Sequence, residues 1–338
     1  MNSTFFMQEA INEALKADPN QVYPNPLVGC VIVKENKIIS RGYHKKFGEN
    51  HAEVNAIKSI KKPIDNAELY VTLEPCAHFG KNPPCSNTII ESNLFKKVII
   101  ASPDPNEKAM GGIDNLRKSG IEVVVGKLND SAKKINPRFF TFFEKRRPYV
   151  ILKFARTDDG FIARSDGSSK WITEKDARKD VHITRSGCDG ILVGRKTIEK
   201  DNPSLDSHGI GRDPRIIILS SRNFSNTFKI MHKNPIIFSR NILKKTFKDN
   251  IKIILDTLFK ENVQSLLVEG GEKTISSFIK SGYYDEIHEY ISPKKFGYGI
   301  PFFGDGDFEK VRLSLDLVEE FSFKSDIKRI YKRKCLRD

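Results

Sequence analysis

Three residues in the first half of the chain have the types and the order of a catalytic zinc site. They are His51, Cys76 and Cys85, and Glu53 follows the histidine two positions later. One imidazole and two thiolates suit Zn²⁺, which prefers nitrogen and sulfur ligands in a tetrahedron. Three protein ligands leave the fourth position open for water, as in catalytic rather than structural zinc sites. These residues therefore predict a metal-assisted hydrolytic reaction.

Glu53 has the position expected of a proton carrier in such a site. Zinc lowers the pKa of a bound water to about 7, and a carboxylate at a helix start can reach that water without binding the metal. We expect Glu53 to take the water's proton and to pass it to a leaving amine. The order of the residues, with proline before Cys76 and before Cys85, matches the H-x-E…P-C…C pattern of zinc-dependent base deaminases.

The elements of the first half must bring these residues together. An apolar stripe predicts an amphipathic helix over residues 3–17, and two strands are expected at VGCVIVK and KIISRGY. Further helices are expected at HAEVNAIKSI, NTIIESN and GGIDNLRKSG, and further strands at ELYVTL, KKVIIA and IEVVVG. This order, α-β-β-α-β-α-β-α-β, indicates one sheet with helices on both faces.

A second alternation of strands and helices begins after the link EKRRP. Strands are expected at YVILKFA, GILVG, RIIILS, PIIFS, SLLVEGG, DEIHEYI and SFKSDIKRIYKR, and helices at KDARKDVHITRS and EKTISSFIKSG. The chain has 338 residues, which is too long for one average domain. We therefore expect two α/β domains, a zinc-dependent deaminase domain over residues 1–145 and a second domain over residues 146–338.

Two glycines, Gly270 and Gly271, stand between a predicted strand and a predicted helix of the second half. Backbone N–H groups at a helix N-terminus attract phosphate, and glycine lets a ligand approach them closely. A glycine turn between a strand and a helix is also routine, so the pattern alone does not decide between the two interpretations. The chain lacks a G-x-G-x-x-G motif, so a Rossmann dinucleotide site is not indicated.

The chain is basic, with 57 Lys and Arg against 43 Asp and Glu and a net charge of +14. The first explanation of this charge is a solvated surface, and the second is attraction of phosphorylated small molecules. Binding of nucleic acid ranks last, because the basic residues are spread along the chain. The five cysteines are an odd number and no signal peptide accompanies them, so we expect reduced thiols in the cytoplasm. No apolar run is long enough for a membrane helix.

Several longer segments resemble one enzyme family, the bifunctional riboflavin-biosynthesis deaminase/reductases. The segments are PNPLVGCVIV, GYHKKFGENHAEVNAI, YVTLEPCAHFGKNPPC, LKFARTDDGFIA, GSSKWIT, ILVGRKTIEKDNPSL and LVEGGEKT. The resemblance implies a three-layer cytidine-deaminase-like sandwich followed by a dihydrofolate-reductase-like α/β domain. It implies Zn²⁺ and NADPH as cofactors. It also implies a phosphorylated pyrimidine substrate, which is first deaminated and then reduced at its ribosyl group.

The resemblance assigns roles to particular residues. In the deaminase, it implies His51, Cys76 and Cys85 as zinc ligands, Glu53 as the proton carrier, and substrate contacts at Asn25, His44, His78 and Lys81. In the reductase, it implies substrate contacts at Ser169, Arg185, Leu205, His208 and Glu269. It implies NADPH contacts at Ala155, Trp171, Thr197, Asp201, Ser221, Gly271, Glu272, Lys273 and Thr274. Core packing remains an alternative for the lone tryptophan, Trp171.

The chain departs from the family pattern at three positions. Asn82 stands where threonine is usual, Asp158 where an apolar residue is usual, and His208 where an arginine for the substrate phosphate is usual. Arg212 lies four residues after His208 and is a candidate replacement.

Two other functions stay open at this point. One is a nucleic-acid base deaminase with an appended binding domain, and the other is a zinc-stabilised binding module with a decayed reductase half. For the enzyme, we expect a homo-oligomer, a dimer through the reductase domain, and no membrane or nucleic-acid partner.

Overall fold

The structure of the chain is a computed structural model. The structure describes residues 3–80, 82–220, 227–239, 242, 246–303 and 308–334. Contacts divide the chain into two compact units, Met1–Lys145 and Arg146–Asp338. Among the described residues, no helix is long and apolar enough to cross a membrane.

The first unit has five strands and seven helices in the part of the chain that the structure describes. The strands are β1 Gly29–Lys34, β2 Lys37–Tyr43, β3 Ala67–Leu73, β4 Phe95–Ser102 and β5 Glu122–Val125. The helices are α1 Ser3–Ala14, α2 Pro19–Val22, α3 Ala52–Lys58, α4 Cys85–Ser92, α5 Gly112–Lys118, α6 Asn129–Lys134 and α7 Pro137–Lys145.

These strands form one sheet in the order β2-β1-β3-β4-β5. Strand β1 is antiparallel to both of its neighbours, whereas β3, β4 and β5 run parallel. Because side chains alternate between faces, Cys30 and Ile32 pack on one side and Val31 and Val33 on the other. Both faces of the sheet are thus buried under helices, which confirms the predicted three-layer sandwich.

Glycines let two helices approach the sheet closely, and one of them, α3, begins directly after His51. A Cβ atom at Gly29 would lie 2.0 Å from the carbonyl oxygen of Ala10 in α1. A Cβ atom at Gly42 would lie 2.4 Å from the carbonyl oxygen of Ala52 in α3. Because α3 packs closely against β2, the position of His51, the residue that precedes this helix, is fixed.

The second unit is built on a large mixed sheet. Its strands are β6 Tyr149–Thr157, β7 Phe161–Ala163, β8 Gly190–Gly194, β9 Arg215–Leu219, β10 Ile236–Phe238, β11 Ser265–Glu269, β12 Glu286–Ser292, β13 Ile300–Pro301, β14 Leu315–Phe323 and β15 Asp326–Arg333. Its helices are α8 Lys175–Ser186, α9 Arg195–Asp201, α10 Phe247–Lys260, α11 Glu272–Ser281 and α12 Phe308–Leu313, with a short 3-10 helix at Lys229–Lys233.

Eight of these strands pair in the order β10-β9-β8-β11-β6-β12-β15-β14. The first six run parallel, and β15 and β14 complete the sheet antiparallel. Helices α10 and α11 contribute to the core on one face, and α9 contributes to the core on the other. Ligands of open parallel sheets bind beyond the carboxyl ends of the strands, so the ends of β6, β8 and β11 mark the expected site.

Candidate active sites

The predicted zinc ligands converge at one point of the first unit. His51 precedes α3, Cys76 follows β3 by three residues, and Cys85 is the first residue of α4. The Nδ1 atom of His51 lies 3.6 Å from the Sγ atom of Cys76 and 3.2 Å from that of Cys85. The three candidate ligand atoms all lie within 4.8 Å of one another. One nitrogen and two sulfurs at this spacing fit a zinc ion with one open position.

The protonation of Cys76 suits metal binding. The neighbouring Cys85 and His51 lower the pKa of the Cys76 thiol. The backbone N–H of Cys85 also donates a hydrogen bond to the Sγ atom of Cys76, at 3.4 Å. The thiolate is the form of cysteine that binds metals.

Glu53 lies beside this cluster with one oxygen unused. The side chain is buried, and its Oε2 atom has no hydrogen-bond partner among the described residues. Burial raises the pKa of Glu53 above its ordinary value. A carboxyl whose proton affinity has been raised is suited to taking up and releasing a proton near neutral pH. Its position and its unpartnered oxygen therefore fit the proton carrier that the sequence predicts.

Two of the predicted pyrimidine contacts lie next to the metal cluster. The ring of His44 meets the ring of His51 edge-on, with centroids 5.1 Å apart. Burial lowers the pKa of His44, so its ring is neutral at pH 7. Its Nδ1 atom pairs with the carbonyl oxygen of Asn50 at 3.1 Å, and its Nε2 atom with the Asn25 amide at 3.2 Å. A neutral ring satisfies both contacts by donating from Nδ1 and accepting at Nε2.

The remaining two predicted contacts fall in the loop between the cysteines. His78 is exposed in that loop, and Lys81 lies outside the described residues. Asn82, one of the departures from the family pattern, donates a hydrogen bond to the carbonyl oxygen of Glu49 at 2.9 Å. Asparagine at this position therefore links the cysteine loop to the loop that precedes His51.

The side chain of Glu74 holds the backbone before Cys76 in place, a role that was not predicted from the sequence. Its buried carboxylate accepts hydrogen bonds from the backbone N–H groups of Asp104, Gly111 and Ile113, at 2.9–3.1 Å. It stands two residues before Cys76 and so fixes the backbone that carries this ligand. A carboxylate directly after an apolar strand was the available signal.

The predicted reductase residues line one cavity of about 1160 Å³ in the second unit. The cavity lies beyond the carboxyl ends of β6, β8 and β11, next to α9 and α11. The lining includes the predicted NADPH contacts Ala155, Trp171, Thr197, Asp201, Gly271, Glu272, Lys273 and Thr274. It also includes the predicted substrate contacts Ser169, Arg185, Leu205, His208 and Glu269. Ser221 lies outside the described residues.

The glycine segment leaves room for a ligand. Gly271 caps α11 with φ −71° and ψ 175°, and a Cβ atom added there would meet no atom within 4 Å. This space lies at the start of a ten-residue helix, where backbone N–H groups attract phosphate. The cavity and this segment together fit a phosphorylated dinucleotide.

A group of three charges forms part of the cavity wall. Arg185 donates two hydrogen bonds to Glu269, at 2.8 and 2.9 Å, and the Nζ atom of Lys153 lies 3.9 Å from Glu269. Burial alone raises the pKa of Glu269, but the charges of Arg185 and Lys153 outweigh it and lower this pKa to about 2. Burial lowers the pKa of Lys153. Lys153 was missed, although a lysine inside the apolar run YVILKFA is a detectable signal.

Trp171 stands at the cavity and not in the core. Its side chain is 61% exposed, so core packing is the wrong interpretation. The guanidinium of Arg178 lies 4.4 Å from the ring centroid, which is a cation–π contact. The exposed indole face is available to a flat ligand.

Comparison with known proteins covers both halves of the chain. The model of the cytidine and deoxycytidylate deaminase zinc-binding region matches residues 1–102, and the model of the RibD C-terminal domain matches residues 148–328. The riboflavin biosynthesis protein RibD of Aquifex aeolicus is 39% identical over 330 residues, covering 92% of each chain. The chain belongs to the RibD family. RibD of Escherichia coli is 31% identical and covers 88% of this chain.

Solved RibD structures agree over nearly the whole chain. The deaminase/reductase of Thermotoga maritima has a TM-score of 0.80 and 36% identity, and the match covers 98% of both chains. RibD of Acinetobacter baumannii has a TM-score of 0.81 and 32% identity, with 98% of this chain covered. The chain is thus a bifunctional deaminase and reductase of riboflavin biosynthesis that uses zinc and NADPH. The match across both halves rules against a deaminase with an unrelated binding domain.

The two departures from the RibD pattern in the second unit have different surroundings. Asp158 is exposed and forms an ion pair with Lys295 at 3.5 Å, so the acid is accommodated at the surface. Arg212 pairs with Asp189 at 2.7 Å and is not among the cavity-lining residues, whereas His208 is. Of these two residues, only His208 lines the cavity in which the substrate contacts are predicted.

Proposed function

We propose that the first unit deaminates 2,5-diamino-6-(5-phosphoribosylamino)pyrimidin-4-one and that the second unit reduces the product. The relative from Thermotoga maritima is described as a diaminohydroxyphosphoribosylaminopyrimidine deaminase and 5-amino-6-(5-phosphoribosylamino)uracil reductase. The observation that carries the proposal is that the described residues predicted for one reaction lie in the first unit and those predicted for the other reaction lie in the second. The ligand cluster lies in the first unit and the cavity in the second.

In the first unit, we assign zinc binding to His51, Cys76 and Cys85. When bound, zinc supplies the Lewis acidity that activates a water molecule for attack on the pyrimidine carbon bearing the amino group. Glu53 accepts the proton of that water and delivers it to the leaving amine, which departs as ammonia. Asn25 orients the pyrimidine, because its side-chain amide offers both a donor and an acceptor.

In the second unit, we assign the cofactor phosphates to Gly271 and the start of α11. NADPH, when bound, supplies the hydride for C1′ of the ribosyl group. Breaking the bond between C1′ and the ring oxygen then requires a proton on that oxygen. Lys153 is suited to donate it, since its buried ammonium lies in the cavity wall and burial has lowered its pKa. Glu269 holds this ammonium in position.

One experiment tests both activities on the purified protein. The diaminopyrimidine substrate is supplied with and without NADPH, while ammonia and the ribityl product are measured. We expect ammonia in both cases and the ribityl product only with NADPH. Release of ammonia without any NADPH-dependent reduction would contradict the assignment of the second unit as a reductase.

Metal analysis tests the zinc assignment. It should find about one zinc per chain in the wild type and a strong loss of zinc in Cys76→Ser and Cys85→Ser.

We also infer a cytoplasmic enzyme and a homodimer through the second unit. Two cysteines acting as zinc ligands must stay reduced, which the cytoplasm ensures. For the dimer, the support is the edge strand β14, on which Leu317, Val318 and Phe321 are exposed. Sedimentation of wild type and Val318→Glu tests it, because a charge in an apolar interface should yield monomers.

A further inference from the structure

A buried lysine of the second unit lies close to the cavity without lining it. It is Lys328 in β15, and its side chain is only 6% exposed. Its Nζ atom donates a hydrogen bond to the Oδ2 atom of Asp180 in α8, at 2.7 Å. The hydroxyl of Tyr290 in β12 donates to the same oxygen. These three described residues form an inner cluster, and none of them lines the cavity.

The strand register places the inner cluster on the same face of the sheet as Lys153. In β12, His288 lies opposite Lys153 of β6. Two residues further along β12, Tyr290 lies opposite Lys328 of β15. Paired residues, and residues two positions apart on one strand, point to one face. Helix α8 covers this face, since its buried residues share a core cluster with Tyr290.

The ring of Tyr290 has an ammonium group of each lysine near it. The Nζ atoms of Lys153 and Lys328 each lie 5.5 Å from the ring centroid. The two charges are therefore no further apart than twice that distance. Tyr290 is fully buried, so little water lies between them. Like charges in such surroundings repel each other more strongly than they do in water.

The two carboxylates of this region are closely paired with other cations. Glu269 accepts two hydrogen bonds from Arg185, and Asp180 accepts one from Lys328. Lys153 is left with a contact of 3.9 Å to Glu269. Burial has the largest effect on the pKa of Lys153 and lowers it, whereas Glu269 raises it. The charges of Arg185 and Lys328 lower it further.

We propose that Lys328 is a positioning residue of the reductase, which acts on the proton donor Lys153 beside the ring of Tyr290. This rests on the proposed function, in which Lys153 protonates the ring oxygen of the ribosyl group. Asp180 holds Lys328 and the Tyr290 hydroxyl at one point. The ring face attracts the Lys153 ammonium and keeps it in place. Repulsion from Lys328 favours the loss of its proton.

The proton transfer removes this repulsion. As hydride adds to C1′, the bond between C1′ and the ring oxygen breaks and its electron pair stays on the oxygen. The Nζ proton of Lys153 moves to that oxygen, which becomes a hydroxyl group. Lys153 is left as a neutral amine, which Lys328 no longer repels.

The pH profile of reduction should therefore depend on Lys328. A proton donor must be protonated, so kcat of the second reaction should fall as the pH rises through the pKa of Lys153. Without the charge of Lys328, this pKa is higher and the fall occurs at higher pH. At an effective dielectric constant of about 20, two unit charges about 10 Å apart change each other's pKa by about one pH unit.

The other titratable groups that surround Lys153 keep one charge state above pH 7. Burial raises the pKa of Glu269, but the neighbouring cations lower it to about 2. Burial lowers the pKa of Arg185, but Glu269 outweighs this effect and raises it. Burial raises the pKa of Tyr290, so its hydroxyl stays protonated. Burial also lowers the pKa of two histidines of α8 and β12, so their rings are neutral: His182 and His288.

The test uses the full-length protein and the isolated second reaction. Lys328→Gln removes the charge and keeps an N–H donor for Asp180. The alkaline fall of kcat should move upward by about one pH unit. At pH 7, kcat should decrease roughly threefold, because a weaker acid transfers its proton more slowly. The KM for NADPH should stay unchanged.

Two further variants separate the charge of Lys328 from its packing. Lys328→Met removes the charge and the donor and should move the alkaline fall by the same amount. Lys328→Arg keeps the charge and should leave the fall at the wild-type pH. A purely structural role would change the amount of active protein and not the pH at which kcat falls.

Lys332 provides the matched control on the same strand. Lys328 and Lys332 stand two positions either side of Ile330, the residue opposite His288. The Lys332 side chain is 44% exposed, so water and salt screen its charge. Lys332→Gln should therefore leave the alkaline fall of kcat at the wild-type pH.

The outcomes distinguish this proposal from the proposed function. An unmoved alkaline fall in folded Lys328→Gln and Lys328→Met proteins would overturn the role of Lys328, as would an equal movement in Lys332→Gln. A wild-type kcat without any alkaline fall, or a Lys153→Met protein that still reduces, would instead contradict the assignment of Lys153 as the proton donor.

Discussion

At the scale of single residues, Glu53 combines deep burial with an oxygen, Oε2, that has no hydrogen-bond partner in the part of the chain that the structure describes. Glu53→Gln keeps the shape of the side chain and removes its ability to carry a proton. General acid–base transfer contributes about 10²–10⁴-fold to a rate, so we expect ammonia release to fall by that factor. Steady-state assays with the diaminopyrimidine measure it.

Zinc content is the matched control for this variant. Glu53 is not a predicted ligand, so the Glu53→Gln protein should keep the metal content of wild type. If zinc were lost together with activity, Glu53 would instead be required to hold the metal site.

Glu269 leads to a prediction of how the free energy of unfolding depends on pH. Its folded-state pKa is about 2, and the unfolded value is about 4.3. Because the folded value is lower, the carboxylate stabilises the fold above about pH 4.3, and this contribution disappears as the pH falls toward the folded value. The loss amounts to about 1.4 kcal/mol per pH unit in that range.

The measurement compares urea unfolding of wild type and Glu269→Gln at pH 5 and pH 3. The stability gap between the two proteins should narrow at pH 3. Glu107→Gln, at an exposed position, serves as the reference variant. A gap that stays constant would mean that the charges of Arg185 and Lys153 do not control this carboxylate.

At the scale of elements, the start of α11 decides the cofactor assignment. Gly271→Val should fold, since φ is −71° and a Cβ atom meets only open space. The new side chain would occupy the space assigned to phosphate, so the KM for NADPH should rise. Deamination and zinc content should stay at wild-type levels.

Gly271→Ala should raise the KM for NADPH less than Gly271→Val does, because its side chain is smaller. Normal binding of NADPH by a folded Gly271→Val protein would show that the two glycines form only a turn. The cofactor site would then have to lie elsewhere in the cavity.

The elements also show what the sequence could predict. Strands β8 and β11 and helix α8 appear where the apolar patterns placed them. Helix α10 was missed although its signals are present. Thr246 caps it by accepting from the N–H of Asp249, and its buried residues recur at helical spacing: Ile251, Ile254, Leu255 and Leu258.

Other features could not be read from local patterns. Strand β14 is exposed along most of its length, so it shows no alternation of apolar and polar residues, and its pairing with β15 defines it. The contact between Arg185, Glu269 and Lys153 joins three separate elements and depends on the strand order of the sheet. The zinc ligands were predictable because their residue types are specific.

At the scale of the whole molecule, each unit has its own core and its own site. The candidate zinc ligands all lie between His51 and Cys85, and the cavity lining lies between Lys153 and Ile300. The described candidate residues of each reaction therefore lie within one unit. We expect the two activities to be separable by mutation and to combine between different chains.

Mixing two full-length variants tests this independence. Glu53→Gln should reduce but not deaminate, and Lys153→Met should deaminate but not reduce. Neither protein alone should convert the diaminopyrimidine to the ribityl product, whereas the mixture should, after a lag while free intermediate accumulates. The lag should shorten as more Glu53→Gln protein is added, because that protein consumes the released intermediate. A mixture that forms no product, although each variant keeps its remaining activity, would mean that the intermediate must pass between sites of the same chain.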